Sequence, residues 1–320
     1  RRHPSGRWRH DPVDLLKGNP MPQLGIHALV WVTQWTEADI SRACAATAEA
    51  GYDLIEAVIF DPAEARPEAT ARALAASGLS AVTGMALNPG ADISSADPAI
   101  AAAGERLIAD AILATRDMGS RLLGGVTHSA MHRYAHAAAP GTLSRVADCY
   151  ARLAERAETA GIRLGIEAVN RYESNVINTL DDAAAVVRRV GSPALFAHID
   201  SFHMNIEEHD IAESIARNID VIGHVHVGES HRGYLGSGSV DFPTFFRALL
   251  RAGYDGPIVF EAFSPAVLNG GVADALAAWT THWTDSADLA QKALTFMQAE
   301  LAGAGHALQH KAALPRRENG

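Results

Sequence analysis

Four short apolar segments in the second half of the chain each end in a polar side chain of a type that binds metal ions. These side chains are 33, 26 and 35 residues apart, and they are Glu167, Asp200, His226 and Glu261. A spacing of about thirty residues is the length of one strand–helix–strand unit. The spacing therefore predicts four successive parallel strands, whose carboxyl ends bring the four side chains to one edge of a sheet.

The same alternation of apolar segments and Ala-rich helical segments extends over most of the chain. It gives eight strand candidates and eight helix candidates, which favours closure into a barrel. The Gly-x-Gly-x-x-Gly turn of an open dinucleotide-binding sheet is missing from the sequence. We therefore expect an α/β protein with a single (β/α)8 barrel domain. The predicted strands are 24–32, 53–60, 79–87, 121–126, 162–169, 195–199, 221–227 and 257–260.

Composition limits the partners and the location of this domain. The barrel is expected at residues 21–303. A disordered leader at 1–20, which either belongs to the natural protein or was added to it, precedes the barrel, and a flexible tail at 304–320 follows it. The formal net charge of −10 argues against a nucleic-acid partner. No apolar run approaches the roughly 20 residues that cross a bilayer, and residues 1–20 lack the apolar centre of a signal peptide. These features predict a cytoplasmic protein without a membrane partner.

Three carboxylates and one imidazole form an oxygen-rich set of candidate ligands. Such a set suits one hard or borderline divalent ion per subunit, namely Mn²⁺, Mg²⁺ or Co²⁺. A structural zinc site would instead use closely spaced Cys and His residues. Three carboxylates buried at one mouth without a cation would repel one another strongly. The alternative is that each residue is a separate strand-end polar group that faces water.

Further polar residues lie close to these strand ends. Loops after barrel strands contact substrates, so three of these residues are candidates for binding a substrate: Glu173, His203 and Arg232. Glu56 ends the second predicted strand in the same way, as a fifth acid at the mouth or as a partner for a basic group. His198 and His224 lie two residues deeper along their strands, where we expect packed, hydrogen-bonded imidazoles.

Four sequence segments resemble the ketose 3-epimerase family, which includes the D-tagatose, D-allulose (psicose) and L-ribulose 3-epimerases. The segments are EAVNRYESNVINT, HIDSFHMNIEE, HVHVGESHRGYLGSGSVDF and YDGPIVFEAFS, within a resemblance over about 25–297. The resemblance implies a xylose-isomerase-like TIM barrel with one divalent ion, assembled as a homodimer or homotetramer. It also implies that the four strand-end residues are the metal ligands and that Glu167 and Glu261 are the acid/base pair. The three loop residues named above fall where the family contacts the O1 to O3 end of its substrate.

The resemblance implies interconversion of free ketoses at C3 through a cis-enediolate, for example D-fructose with D-allulose, D-tagatose with D-sorbose, or L-ribulose with L-xylulose. Several pocket positions depart from the family pattern. Met131 stands where several D-allulose enzymes have Trp, His128 where Tyr is common, and His27 where some members have an aromatic residue. Further candidate pocket residues are Trp31 and Glu56. Alternative functions are an aldose–ketose or hydroxypyruvate isomerase, an inosose-type dehydratase, and a sugar-binding barrel without activity.

Overall fold

The computed structural model describes residues 22–313 of the chain. The predicted leader at 1–20 lies outside the described residues, as does the end of the predicted tail at 314–320. The eight strands pair in parallel and in sequence order, and the first strand pairs with the last, so the predicted closed barrel is confirmed. The strands are β1 Leu24–His27, β2 Leu54–Val58, β3 Ser80–Leu87, β4 Leu122–Ala130, β5 Arg163–Glu167, β6 Leu195–Asp200, β7 Ile222–Val227 and β8 Ile258–Phe260.

Helices connect the strands and surround the barrel. They are α1 Glu37–Glu49, α2 Pro67–Ser77, α3 Pro98–Asp117, α4 Thr142–Ala160, α5 Leu180–Val190, α6 Ser201–Glu207, α7 Ile211–Asn218, α8 Phe242–Ala252, α9 Gly270–Ala275 and α10 Ser286–Ala313. No helix in the described part of the chain combines the length and the apolar character needed to cross a membrane.

Three elements differ from the sequence prediction. The first strand ends at His27 rather than at Val32, and the 3-10 helix Ala28–Val30 follows it. Helix α6 begins directly after β6, where the prediction had a loop. Helices α9 and α10 follow β8, and α10 continues to Ala313, into the segment expected to be a flexible tail.

Short-range signals explain where helix α5 begins and ends. Thr179 caps α5 by accepting from the Asp182 N–H, and the Asp182 carboxylate accepts from the Thr179 N–H in return. This reciprocal capping box satisfies donors that the first helical turn leaves free. Gly191 then ends α5 with a φ of 70°, which a residue with a Cβ adopts only at a cost.

The barrel interior is filled in layers, as expected for alternating inward-facing side chains. The ring of Phe196 lies near the bottom, where a Cβ on either Gly165 or Gly223 would lie 2.6 Å from it. Above this ring is a polar layer made of Glu56, His198 and His224. The strand-end residues predicted to bind metal form the layer above, at the mouth.

Candidate metal and sugar site

The structure brings the four predicted metal ligands together at the mouth of the barrel. Glu167 and Asp200 are the last residues of β5 and β6, His226 is the second-last of β7, and Glu261 directly follows β8. The His226 Nδ1 lies 3.5 Å from Glu261 Oε1 and 3.9 Å from Glu167 Oε1. Glu167, Asp200 and His226 each offer one ligand atom, and these atoms lie within 4.8 Å of one another. None of the four residues is more than 6% exposed.

The chemistry of this donor set fits a divalent cation. The Nε2–H of His226 donates to Glu56 Oε2 at 2.7 Å, whereas its buried Nδ1 has no hydrogen-bond partner among the described residues. Burial alone would lower the pKa of His226, but the charges of Glu56 and Glu261 raise it to about 10. Without a cation Nδ1 therefore carries a proton, which a bound divalent ion would displace, as expected of a ligand supported by an outer carboxylate. Burial, together with the nearby charges of Glu261 and Asp200, raises the pKa of Glu167 well above its usual value, although His226 opposes the shift. A bound cation would offset this repulsion.

Glu56 lies in the polar layer below the mouth and is 1% exposed. Its Oε2 accepts from His226 and also from the Nε2–H of His224, at 2.8 Å. Burial alone would raise the pKa of Glu56, but the two imidazoles outweigh it and hold this pKa well below its usual value. Of the two roles that the sequence left open, the structure therefore places Glu56 as the partner of basic groups. His198 is also hydrogen-bonded, since its Nδ1 accepts from the Gly125 N–H at 3.3 Å.

Two of the predicted substrate-binding residues lie against the four candidate metal ligands. His203, on α6, places its Nε2 3.8 Å from Glu167 Oε1 and 3.7 Å from Asp200 Oδ2. Arg232 Nη1 lies 2.9 Å from Asp200 Oδ2 and 2.6 Å from Glu261 Oε2. These two groups provide hydrogen-bond donors at the same opening as the candidate metal ligands.

The guanidinium of Arg232 is held in place by its surroundings. It lies 3.7 Å from the centre of the Phe202 ring, a cation–π distance, and its backbone φ of 58° is left-handed. Glu173 is the third predicted substrate contact, and its Oε2 lies 4.0 Å from His203 Nε2. The three residues therefore line one side of the opening.

The remaining predicted pocket residues surround this centre less closely. His27 Nε2 lies 3.8 Å from Glu261 Oε1, and Trp31 is half-buried with an indole Nε1–H that no described residue accepts. Met131 begins the loop after β4, where its N–H donates to the Leu87 carbonyl at 2.9 Å. The structure thus places His27 beside the ligand set, whereas for Met131 it supplies only this backbone anchor.

Sequence reasoning missed Asn170, which contacts both His203 and Glu173. It also missed a buried polar group behind the loop that contains Glu173, in which Ser174 Oγ bonds Ser129 Oγ at 2.7 Å and His128 Nε2 at 3.1 Å. Asn170 lies within the segment EAVNRYESN that carried the resemblance. Ionisable residues at strand ends are the stronger signal for a metal site, and an amide three positions after a strand end carries no such signal in the sequence.

Comparisons with known proteins agree with this architecture. A family model for the xylose isomerase-like TIM barrel matches residues 44–299. A ketose 3-epimerase from Arthrobacter globiformis is 40% identical over 279 residues, which covers 87% of this chain and 96% of the relative. The crystal structure of D-allulose 3-epimerase from Methylomonas sp. in complex with D-allulose superposes with a TM-score of 0.85 at 40% identity, covering 88% of this chain and 97% of that one.

A second solved structure, of an L-ribulose 3-epimerase, gives a TM-score of 0.88 at 37% identity and covers 93% of this chain and all of the other. The match therefore includes nearly the whole barrel and is not limited to the strand-end segments. The chain belongs to the xylose isomerase-like TIM barrel family and, within it, to the ketose 3-epimerases, which are carbohydrate epimerases of the isomerase class.

Proposed function

We propose that this enzyme interconverts free ketoses at C3 with the help of one divalent metal ion, and that Glu167 and Glu261 are its two acid/base groups. One observation carries the proposal. Carboxylates from β5 and from the residue after β8 both lie within 4 Å of a single imidazole nitrogen, His226 Nδ1. Two bases from different strands thus approach one centre, as inversion at a single carbon requires.

The reaction needs a proton to leave C3 and another to return to the opposite face. The carbon acid beside a ketone is too weak for an unaided carboxylate. A cation held by Glu167, Asp200, His226 and Glu261 would act as a Lewis acid toward the developing negative charge on the sugar oxygens. One glutamate removes the proton to give the cis-enediolate, and the other donates a proton from the other side. The configuration of the incoming sugar decides which glutamate acts first.

The neighbouring side chains orient the sugar and stabilise charge. The Nδ1 of His203 accepts from the Asn170 N–H at 3.1 Å, so in the neutral ring the proton is on Nε2, which faces the ligand carboxylates. His203 and Arg232 can therefore donate hydrogen bonds to oxygens that gain negative charge. Glu173 would accept a hydrogen bond from the sugar's O1 hydroxyl and limit its rotation.

Two variants test the acid/base assignment. Glu167→Gln and Glu261→Gln should each lower exchange of solvent deuterium into C3 of D-fructose or D-tagatose by about 10²–10⁴-fold, the usual contribution of a positioned acid or base. The metal content of each variant is measured in parallel, because both residues are also proposed ligands. Glu213→Gln, on the exposed side of α7, is the control and should leave exchange unchanged. Near-native turnover in both directions by either site variant would refute the two-base assignment.

Metal removal tests the cofactor. Dialysis against EDTA should abolish epimerisation, and Mn²⁺ or Co²⁺ should restore it, whereas full activity of a metal-stripped sample would overturn the proposal. A panel of hexuloses and pentuloses, separated by chromatography, identifies the preferred sugar. Formation of glucose or mannose from D-fructose would instead indicate an aldose–ketose isomerase. The cytoplasmic location and the homodimeric or homotetrameric assembly stay predictions.

A further inference from the structure

Asn170 lies at the start of the loop after β5, and its amide contacts two of the residues proposed to bind the sugar. It is 2% exposed. Its Nδ2 donates to Glu173 Oε1 at 2.9 Å and lies 2.8 Å from His203 Nδ1. Its backbone N–H donates to the same His203 Nδ1 at 3.1 Å. One amide therefore connects an acid and an imidazole from different segments of the chain.

The contacts to His203 decide which ring nitrogen carries the proton. Two N–H donors of Asn170 point at Nδ1, so a proton on that nitrogen would face them directly. The neutral ring consequently carries its proton on Nε2. That Nε2–H lies 3.7 Å from Asp200 Oδ2 and 4.0 Å from Glu173 Oε2, at the opening where a sugar would bind.

The contact to Glu173 decides which of its oxygens is free. Oε1 is occupied by the Asn170 amide, whereas Oε2 is the oxygen that faces His203. The Glu173 N–H also donates to the Asn170 carbonyl at 2.9 Å, and the Tyr172 N–H donates to Asn170 Oδ1 at 2.9 Å. The polar groups of Asn170 are therefore used in holding the loop and its acid in one arrangement.

Other contacts fasten the same loop independently of the Asn170 side chain. Arg171 bonds Glu207 on α6 through Nε at 2.9 Å and through Nη2 at 2.8 Å. Ser174 bonds Ser129 on β4. A change confined to the Asn170 amide should therefore leave the path of the loop intact and alter the two side chains that the amide orients.

We propose that Asn170 is a positioning residue for ketose epimerisation, which fixes the Nε2–H tautomer of His203 and presents Glu173 Oε2 to the substrate. The proposal rests on the function proposed above, because it assumes that His203 and Glu173 bind the sugar. An aspartate of the same shape would offer only acceptors at this position. It would repel the Glu173 carboxylate and place a charged acceptor near His203 Nδ1, in competition with the backbone N–H that still donates there. The share of rings that carry their proton on Nδ1 should therefore rise, whereas the aspartate could still accept from the Tyr172 N–H.

Asn170→Asp is therefore the sharpest test, and Asn175→Asp is its matched control. Asn175 lies five positions further along and donates to the His136 carbonyl at 2.8 Å, so the control makes the same change of charge in a neighbouring contact. In ligand-free protein labelled with ¹⁵N-histidine, long-range ¹H–¹⁵N spectra should show His203 protonated on Nε2 in the parent and an increased share protonated on Nδ1 in Asn170→Asp. The His203 signals are assigned from their loss in His203→Gln.

The kinetic expectation follows from the loss of a donor to the reacting sugar. With the Mn²⁺-loaded enzyme and D-fructose, kcat/KM of Asn170→Asp should fall by about 10²–10³-fold, as when one donor to a developing oxyanion is removed. Asn175→Asp should stay within about threefold of the parent. Asn170→Ala, with its melting temperature measured, replaces the aspartate if that variant fails to fold, and it should also lose at least tenfold in kcat/KM.

Several results would overturn the proposal. A parent-like His203 tautomer in Asn170→Asp, with kcat/KM within about threefold, would show that the amide does not position these groups. A lower melting temperature with unchanged tautomer and unchanged KM would indicate a role in folding alone. A parent enzyme that fails to epimerise any ketose would reject the proposed function, whereas the tautomer measurement tests the role of Asn170 separately.

Discussion

Replacement of Glu56 by Gln should weaken metal binding without removing any ligand. Glu56 Oε2 accepts from the Nε2–H groups of both His224 and His226, and this second bond leaves His226 Nδ1 directed at the proposed metal site. Glutamine has nearly the same shape, so it preserves packing against Gly84, where an added Cβ would lie 2.5 Å from Glu56 Oε1. The substitution therefore removes mainly the negative charge that makes the His226 imidazole a stronger electron-pair donor to a metal ion.

The magnitude can be worked out in two ways. A hydrogen bond to a charged group contributes about 1.5–3 kcal/mol and a neutral one about 0.5–1.5 kcal/mol, so the bond to His226 should weaken by about 1–1.5 kcal/mol. At 1.4 kcal/mol for each factor of ten, the Kd for the metal rises about tenfold. Loss of an outer carboxylate behind a ligating histidine commonly costs 10–100-fold in metal affinity. We therefore expect an increase of about 10–100-fold.

Calorimetric titration of metal-free enzyme with Mn²⁺ measures this Kd directly, independently of activity. Glu229→Gln is a control matched for burial, because Glu229 is fully buried but accepts from the backbone N–H groups of Ser230, Gly236 and Val240. That variant should lose stability and keep its Mn²⁺ affinity within about threefold. If Glu56→Gln instead lowers the melting temperature of the metal-free protein but leaves the Kd unchanged, then Glu56 only fills the barrel and the reasoning fails.

Two further predictions concern the stability of the barrel itself. Burial lowers the pKa of His128 to about 3, against a smaller opposing effect of Asp92. Between pH 6.5 and 3 the unfolded chain therefore binds a proton that the folded chain does not, and the free energy of unfolding falls as the pH decreases. From pH 7 to 5 this proton binding lowers the free energy of unfolding by about 2 kcal/mol. In urea unfolding at the two pH values, His128→Gln should therefore lose about 2 kcal/mol less than the parent. Equal losses in the two proteins would show that His128 is not the group responsible. Gly125→Ala should cost about 2–5 kcal/mol, since at a φ of 105° its Cβ would overlap the Met85 carbonyl oxygen. Gly119→Ala, at a φ of 86° with no described atom within 4 Å of the added Cβ, should cost only about 1–2 kcal/mol, and equal losses in the two alanine variants would contradict the overlap.

The regular spacing of strand–helix units along the chain was sufficient to predict both the barrel and its four strand-end residues. Each strand–helix unit returns the chain to the same level of the sheet, so Glu167, Asp200, His226 and Glu261 reach one mouth whatever the details of the helices. Local signals were weaker where one residue has two roles. Asp200 ends β6 and also caps α6 by accepting from the Phe202 N–H at 2.8 Å. A seven-residue helix that begins directly at a strand end is too short to show a helical period.

Other features depend on tertiary contacts that no pattern contains. The apolar run after His27 predicts a longer strand, but the His27 side chain accepts from the Leu29 N–H and the chain turns into a 3-10 helix. Continuous apolar runs do not distinguish a buried strand from a buried helical turn. The tautomer of His203 likewise depends on Asn170, which lies 33 positions away and is brought near by the pairing of β5 with β6.

The polar layer inside the barrel connects the stability of the fold to the proposed chemistry. In barrels of this kind, branched apolar side chains usually fill the interior. Here Glu56 and two imidazoles take their place, and glycines on other strands make room for them. A Cβ on Gly84 would meet Glu56 Oε1 at 2.5 Å, and one on Gly124 would meet His198 Nδ1 at 3.1 Å. A buried carboxylate needs hydrogen-bond donors, and His224 and His226 both donate to Glu56 Oε2, so the layer supports the fold and the orientation of His226 through the same contacts. Gly84 and Gly124 therefore leave room in this barrel for the buried acid and imidazole behind the proposed metal ligand His226, because a strand that served packing alone would gain from a side chain there.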